Sequence, residues 1–245
     1  MAKDVKEQLS SQYPGKFNEE ELHDSVRRNM LFFAQASFVE RYPDVRDGLK
    51  PIHRRIIYSI DKLSLTPKSS YMKCGKVVGV VMGDYHPHGD GPIYDTLVAM
   101  AQPFTMNYKI VDGQGNFGNL LGDSAAANRY TECRAAEYSK IFTNDLSEET
   151  VHFVPNYSNT CLEPSVLPTM LPNILINGNY TIGAAAFNSS IPPHNLAEVI
   201  DVTIELMKKP KITNEYIGGK LLPDFPFGGI IVNPEEVPET QGNWN

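Results

Sequence analysis

Residues 43–63 read "PDVRDGLKPIHRRIIYSIDKL", and this stretch decides the fold class. The first half is turn chemistry: Pro43, two aspartates and Gly48 precede a second proline. Pro51 has the fixed φ and missing N–H that suit the first turn of a helix. Behind it, Ile52, Ile56, Ile60 and Leu63 recur at helical spacing and define one apolar face. His53, Arg54 and Arg55 fall mainly off that face, so the start of the helix is expected to be basic.

The charge pattern sharpens this. The chain of 245 residues carries a formal net charge of −7, which alone speaks mildly against a polyanionic partner. Between Arg41 and Arg55, however, Arg41, Arg46, Lys50, Arg54, Arg55 and His53 face only Asp44 and Asp47. The acids gather elsewhere, as in "NDLSEE" (144–149) and "NPEEVPE" (233–239). A basic stripe at a helix start is either a solvated face or a set of phosphate contacts.

Working outward, residues 1–17 are polar and expected to be flexible. From Asn18 a long helix is expected, with Asn18 as its cap and Glu21 three residues on. "YMKCGKVVGVVMGDY" (71–85) has helical or mixed character. "DGPIYDTLVAMAQ" (90–102) predicts a short helix with Asp90 at its N-cap and Pro92 in its first turn. "VDGQGNFGNLLGDSAAA" (111–127) carries four glycines and reads as a loop. "NRYTEC" (128–133) reads as short and extended, and "RAAEYSKIF" (134–142) as helical. Near Thr150 the texture shifts to short apolar runs among Pro and Asn, hence strands and turns. "HNLAEVIDVTIELM" (194–207) predicts a capped helix, and "LLPDFPFGGIIVNP" (221–234) another strand. The expected class is α+β, divided as 1–17, 18–155 and 156–245. The first part is a helix-rich body of helix-turn-helix or winged-helix kind, and the second is α/β.

No run approaches the roughly 18 apolar residues of a membrane span. The N-terminus lacks the apolar core of a signal peptide. Cys74, Cys133 and Cys161 form no paired framework, so reduced thiols and a cytoplasmic location are expected.

"YHPHGDG" (85–91) offers two imidazoles one residue apart and a carboxylate. His86, His88 and Asp90 admit three readings: a helix-start scaffold, a phosphate contact beside a helix N-terminus, or a metal set. Arg129 and Tyr130 are adjacent. A tyrosine can act as a covalent nucleophile and an arginine can hold phosphate charge, but most such tyrosines are half-buried packing residues.

Taken together and in order, "PDVRDGLKPIHRR", "YHPHGD", "YDTLVAMAQPF", "VDGQGNFG", "GDSAAANRYTE", "NGNYTIG" and "IPPHN" closely resemble the N-terminal part of bacterial type IIA DNA topoisomerase A subunits, those of DNA gyrase and topoisomerase IV. The resemblance runs over roughly residues 20–232. It implies a winged-helix breakage–reunion domain followed by the start of a tower domain. It implies transient cleavage of duplex DNA, with Tyr130 forming a 5′-phosphotyrosyl bond and Arg129 holding the scissile phosphate. Arg41, His86 and His88 match residues assisting there. Arg46, Lys50, His53, Arg54 and Arg55 match the DNA-backbone region, and Ile182 matches an apolar wedge between base pairs.

No metal centre is expected in this chain. The resemblance places Mg²⁺ and ATP on a partner B subunit with ATPase and TOPRIM domains. It also implies a second copy of the A subunit, in an A2B2 assembly. Gly91 and Asp95 match positions that anchor quinolone drugs. Gly91 lacks the hydroxyl many relatives have there, so reduced quinolone sensitivity is expected. By this reading Asn245 falls inside the tower. The rival expectations are a DNA-binding fragment that does not cut and a metal-dependent hydrolase built on His86, His88 and Asp90.

Overall fold

In the structure, a computed structural model, residues 20–184 and 187–234 are described. Helix α1 spans Leu22–Arg41. It starts later than expected: Glu21 occupies the cap position in extended conformation and makes no side-chain cap bond. Asn18 and the polar segment 1–17 lie outside the described residues. Helix α2 spans Pro51–Lys62 with Pro51 in its first turn, as its sequence predicts. The short strand β1 (Met72–Lys73) leads into helix α3 (Cys74–Val80), which widens into a π-helical turn over Val81–Tyr85. Helix α4 spans Asp90–Ala101.

Strands β2 (Val111–Gln114) and β3 (Glu132–Ala135) complete an antiparallel three-stranded sheet in the order β1-β3-β2. Met72 faces Cys133, and Gln114 faces Glu132. Part of the expected glycine loop is therefore strand, because Val111 is apolar enough to pair inside. A 3₁₀ turn (Glu137–Ser139) and helix α5 (Lys140–Thr143) follow. The expected helix over 134–142 thus forms only in its second half: Arg134 and Ala135 belong to β3.

The apolar stripe of α2 sits at the centre of the main core. Ile56 and Ile60 are buried against Val77, Val78 and Val81 of α3 and its π turn, and Ile93, Leu97 and Met100 of α4. Val111, Cys133 and Phe142 close the cluster from the sheet side. Each such side chain contributes about 1.5–3 kcal/mol by leaving water. All three thiols are free.

Two hairpins follow: β4 (Phe153–Pro155) with β5 (Leu162–Pro164), and, after the short helix α6 (Asn173–Ile176), β6 (Asn179–Ala184) with β7 (Phe187–Ile191). Helix α7 (Leu196–Lys208) has the expected cap, Asn195 accepting from the Ala197 amide. Helix α8 (Asn214–Lys220) packs on it. A second, smaller core gathers Ile176, Val199, Val202 and Leu221. The expected strand over 221–234 does not form; only an isolated bridge joins His194 to Pro223. Pro223 and Pro226 have no amide to give a ladder, and Gly228 and Gly229 turn the chain with φ of 72° and 150°.

Candidate functional site

Two pairs of residues fix the geometry around the start of α2. Asp47 is fully buried in the turn before it. Its carboxylate accepts from Arg54 Nε at 2.6 Å and Arg54 Nη2 at 3.0 Å. It also accepts from the amides of Leu49 and Leu167. Arg54 spends a further bond on the Leu49 carbonyl. Gly48, at φ 68°, is required here, because a Cβ would lie 2.6 Å from the Ile174 amide nitrogen. Arg54 is therefore not on a solvated face: it is buried, tying the turn to the helix.

Arg55 is the second correction. It is clamped by Glu163 of β5, with Nε and Nη2 donating to the two carboxylate oxygens at 2.8 and 2.9 Å. Its remaining nitrogen, Nη1, stands 2.8 Å from His86 Nδ1. The π turn delivers His86 to that place: its amide bonds the Val81 carbonyl at 2.7 Å, five residues back. The loop of the β4–β5 hairpin satisfies the carbonyls that the end of this turn leaves open. Asn156 Nδ2 donates to Asp84 and Tyr157 Oη donates to Gly83. The hairpin that supplies Glu163 thus also holds the turn that supplies His86.

His86 is buried, and His88 stacks on it with ring centroids 4.4 Å apart. Burial, reinforced by the charges of Arg55 and His88, lowers the His86 pKa to about 4, Glu40 opposing weakly. His86 is therefore neutral at pH 7. Asp90 is the first residue of α4, Gly89 holds the cap position, and no side chain caps the helix. The expected Asp90 cap is absent because the backbone enters the helix one residue earlier.

Among the described residues, one group has metal-ligand proximity: Glu40, His86 and His88. It contains Glu40 of α1 in place of the expected Asp90. It suits a resident metal poorly. Arginine offers only donors, so Nδ1 of His86 must accept, and the ring proton then sits on Nε2, the one nitrogen left for an ion. The set is also the wrong chemistry for Mg²⁺, which favours oxygen ligands in an octahedron.

Arg41, His86 and His88 line a cleft with Phe33, Ser37 and Glu40 of α1, Ile52 of α2 and Pro92 of α4. A neighbouring cleft shares Glu40, Arg41 and Ile52 and adds Lys50, His53, Asp95, Thr96 and Gly183. The two run together along α1. Burial, with the charges of Lys50 and Arg54, holds His53 near pKa 3, so it offers the groove a neutral ring. Burial and Arg41 lower the Lys50 pKa. Arg46 stands outside, exposed and paired with Asp44. Ile182 lies on β6 opposite Ser189. Gly91 and Asp95 share an exposed face of α4, and a side chain at Gly91 would meet open space.

Arg129 and Tyr130 do not lie in a strand; they form the turn before β3. The Tyr130 amide bonds the Ala127 carbonyl, and the Arg129 guanidinium sits 4.7 Å from the Tyr130 ring centroid. Tyr130 is 64% exposed. The turn is anchored on both sides: the amides of Cys74 and Gly75 bond the carbonyls of Thr131 and Asn128, and Tyr94 Oη of α4 reaches Ala126 and Thr131. Among the described residues no hydrogen bond, ion pair or ring contact joins Tyr130 to His86 or His88. Sequence reasoning missed Glu40, Asp47, Asn156 and Glu163. Only Glu163 carried a signal, a lone carboxylate in the otherwise uncharged run "CLEPSVL".

An exposed phenol under an arginine, and on the same body a groove lined by Arg41, Lys50 and three imidazoles, are side chains of the kind that suit phosphate. The family of DNA gyrase/topoisomerase IV A subunits matches residues 42–244, and the chain belongs to that family. It is 47% identical to the DNA topoisomerase 4 A subunit of Rickettsia conorii over 216 residues, covering 87% of this chain and 29% of the relative. It is 47% identical to the DNA gyrase A subunit of Staphylococcus epidermidis, covering 89% and 24%. With the DNA gyrase A subunit of Pseudomonas aeruginosa the identity is 49%, covering 86% and 23%. The chain therefore spans about a quarter of the length of these relatives.

Proposed function

We propose that this chain is the DNA-cleaving and rejoining part of a type IIA topoisomerase, with Tyr130 as nucleophile. The observation that carries the reading is the exposed Tyr130 beneath the Arg129 guanidinium, on a turn anchored to α3 and α4. The phenol oxygen attacks a backbone phosphorus. The 3′-oxygen leaves and the 5′-phosphate stays on the tyrosine; rejoining reverses the exchange. Because one phosphodiester replaces another, resealing needs no ATP of its own. Arg129 offsets charge on the phosphate. Arg41, His88 and the neutral His86 supply donors at the groove, and Arg46 and Lys50 contact the DNA backbone. Ile182 is the proposed wedge.

The element order α2–β1–α3–α4–β2–β3, with a sheet ordered β1-β3-β2, supports a winged-helix reading, in which the turn of Tyr130 closes the wing. The second core and its hairpins are read as the start of a tower. A B-type partner would carry Mg²⁺ and ATP, and two copies of each polypeptide would assemble to cut both strands. Leu22, Val26, Met30, Leu31, Phe33 and Val39 of α1 are exposed, a surface suited to a protein partner. No described helix is long and apolar enough to cross a membrane.

The test mixes the chain with a B-type partner, Mg²⁺ and supercoiled DNA, then traps with detergent. Protein attached to 5′ ends, lost in Tyr130→Phe, is the expected result. DNA binding without an adduct would mean a non-cleaving fragment.

A further inference from the structure

The interplay of Glu163, Arg55 and His86 goes beyond holding the fold together. Arg55 has three nitrogens pointed at partners, and Glu163 takes two of them in a bidentate clamp. That clamp fixes the plane of the guanidinium and hence the direction of Nη1. The third nitrogen meets His86 Nδ1 at 2.8 Å. A guanidinium has donors and no acceptor, so the bond is possible only when Nδ1 carries a lone pair. In a neutral ring the proton is then on Nε2. This is the nitrogen left free of Arg55, and the His86 ring lines the cleft with Arg41 and His88.

We propose that Glu163, acting through Arg55, is a positioning residue that holds His86 in the Nε2–H tautomer, so that His86 presents a hydrogen-bond donor to a phosphate oxygen and cannot serve as a base. Glu163 sits 108 residues from Arg55 in sequence. It arrives on a hairpin whose loop also binds the π turn, so one element sets both the position and the protonation of the ring. The charged and titratable groups facing His86 are Glu40 and Arg41 of α1, Arg55 of α2, and His88 of its own loop, with Glu163 behind Arg55. Burial and the Arg55 charge keep the ring neutral down to about pH 4, so the donor is present without a charge across the working range.

The experiment has two arms. In the first, the chain alone is made with ¹⁵N-labelled histidine, and His86 is assigned by its loss in His86→Gln. Long-range proton–nitrogen correlation should show unprotonated Nδ1 and protonated Nε2 from about pH 5 to 8, the range above the lowered pKa. In Glu163→Ala the unclamped Arg55 guanidinium should no longer hold Nδ1 as its acceptor, and the tautomers should mix. Glu163→Gln, which keeps the volume but replaces one acceptor by a donor, should move the same way if the alanine variant folds poorly. A wild-type proton on Nδ1, or variants that leave the tautomer unchanged, would overturn the proposal.

The second arm rests on the proposed function and measures cleavage, with a B-type partner present, in wild type and in a His86→Gln background. At about pH 8 the variants should cleave about 5-fold less than wild type, the loss expected for one donor. In a His86→Gln background, whose side-chain amide donates without a tautomer to be set, the Glu163 substitutions should cost little further. A deficit as large in that background as in wild type would indicate a merely structural role and sink the proposal. Absence of cleavage by wild type, with the first arm as expected, would instead sink the function proposed above.

Discussion

The turn that carries Tyr130 and the knot that carries His86 are built on opposite plans. Tyr130 is exposed, touches its own neighbour Arg129, and depends on the backbone bonds of its turn. His86 is buried, bonded to an arginine that is itself clamped, and backed by a stacked ring. The difference follows the chemistry each is proposed to do. A nucleophile must reach a phosphorus and carry it away, so packing around it would hinder the step. A donor that stabilises developing charge contributes most when it cannot reorient.

The sharpest way to break this comparison is to remove the two supports in turn. Tyr130→Phe should reduce the covalent adduct below detection while shifting stability by less than about 0.5 kcal/mol, as for other exposed substitutions; denaturant titration alongside the cleavage assay checks both. Removing the buried acid under Arg54, next to Arg55 on the same helix, should do the reverse. Asp47→Ala leaves Arg54 buried without its partner and two amides unsatisfied. A loss of about 3–5 kcal/mol is expected, seen as a fall in melting temperature on the order of 10 °C.

The pH dependence sharpens the contrast further. His86 and His53 have pKa values lowered to about 4 and about 3 in the folded chain, from an ordinary 6.5. The unfolded chain therefore binds protons more readily than the folded one between these values. Stability should be fully developed above pH 6.5 and decline as the pH falls through 6.5 toward 3. Urea midpoints from about pH 8 to about pH 4 should show this slope, and His53→Gln should flatten it; Tyr130→Phe should not.

A smaller effect is expected at Asp44. The Arg46 guanidinium beside it lowers its pKa from 3.8 to about 2. Its contribution is present above pH 3.8 and lost as pH falls toward 2. Because the pair stands at the surface, water and salt screen it, and Arg46→Ala should barely move the urea midpoint at neutral pH.

Smallest in stability is Gly91→Ser, whose side chain meets open space. It should leave the melting temperature unchanged and cleavage normal, yet raise quinolone-stabilised cleavage in the reconstituted complex. Unchanged drug response would contradict the reading of Gly91.

Much of the fold is legible in local signals. Pro51, the Ile52–Ile56–Ile60 stripe and the Asn195 cap each depend on residues within a turn or two, and each appears where expected. The readings of Arg54 and Arg55 failed on distance. Arg54 and Arg55 look like surface cations because nothing local announces that Asp47 curls under α2, or that Glu163 returns from 108 residues away to clamp Arg55. The expected strand over 221–234 fails for a local reason, its prolines and paired glycines. At the site, residue types point to phosphate chemistry, but the partner that sets the protonation of His86 belongs to the tertiary structure alone.

The central claim is that Tyr130, and no other of the chain's tyrosines, becomes linked to DNA. Its most direct measurement is peptide mapping of the detergent-trapped complex after nuclease digestion, with mass spectrometry of the peptide bearing the residual 5′-nucleotide. The nucleotide is expected on Tyr130, in the peptide containing "YTECR". A nucleotide found on a different residue of this chain, or an adduct that persists in Tyr130→Phe, would contradict it.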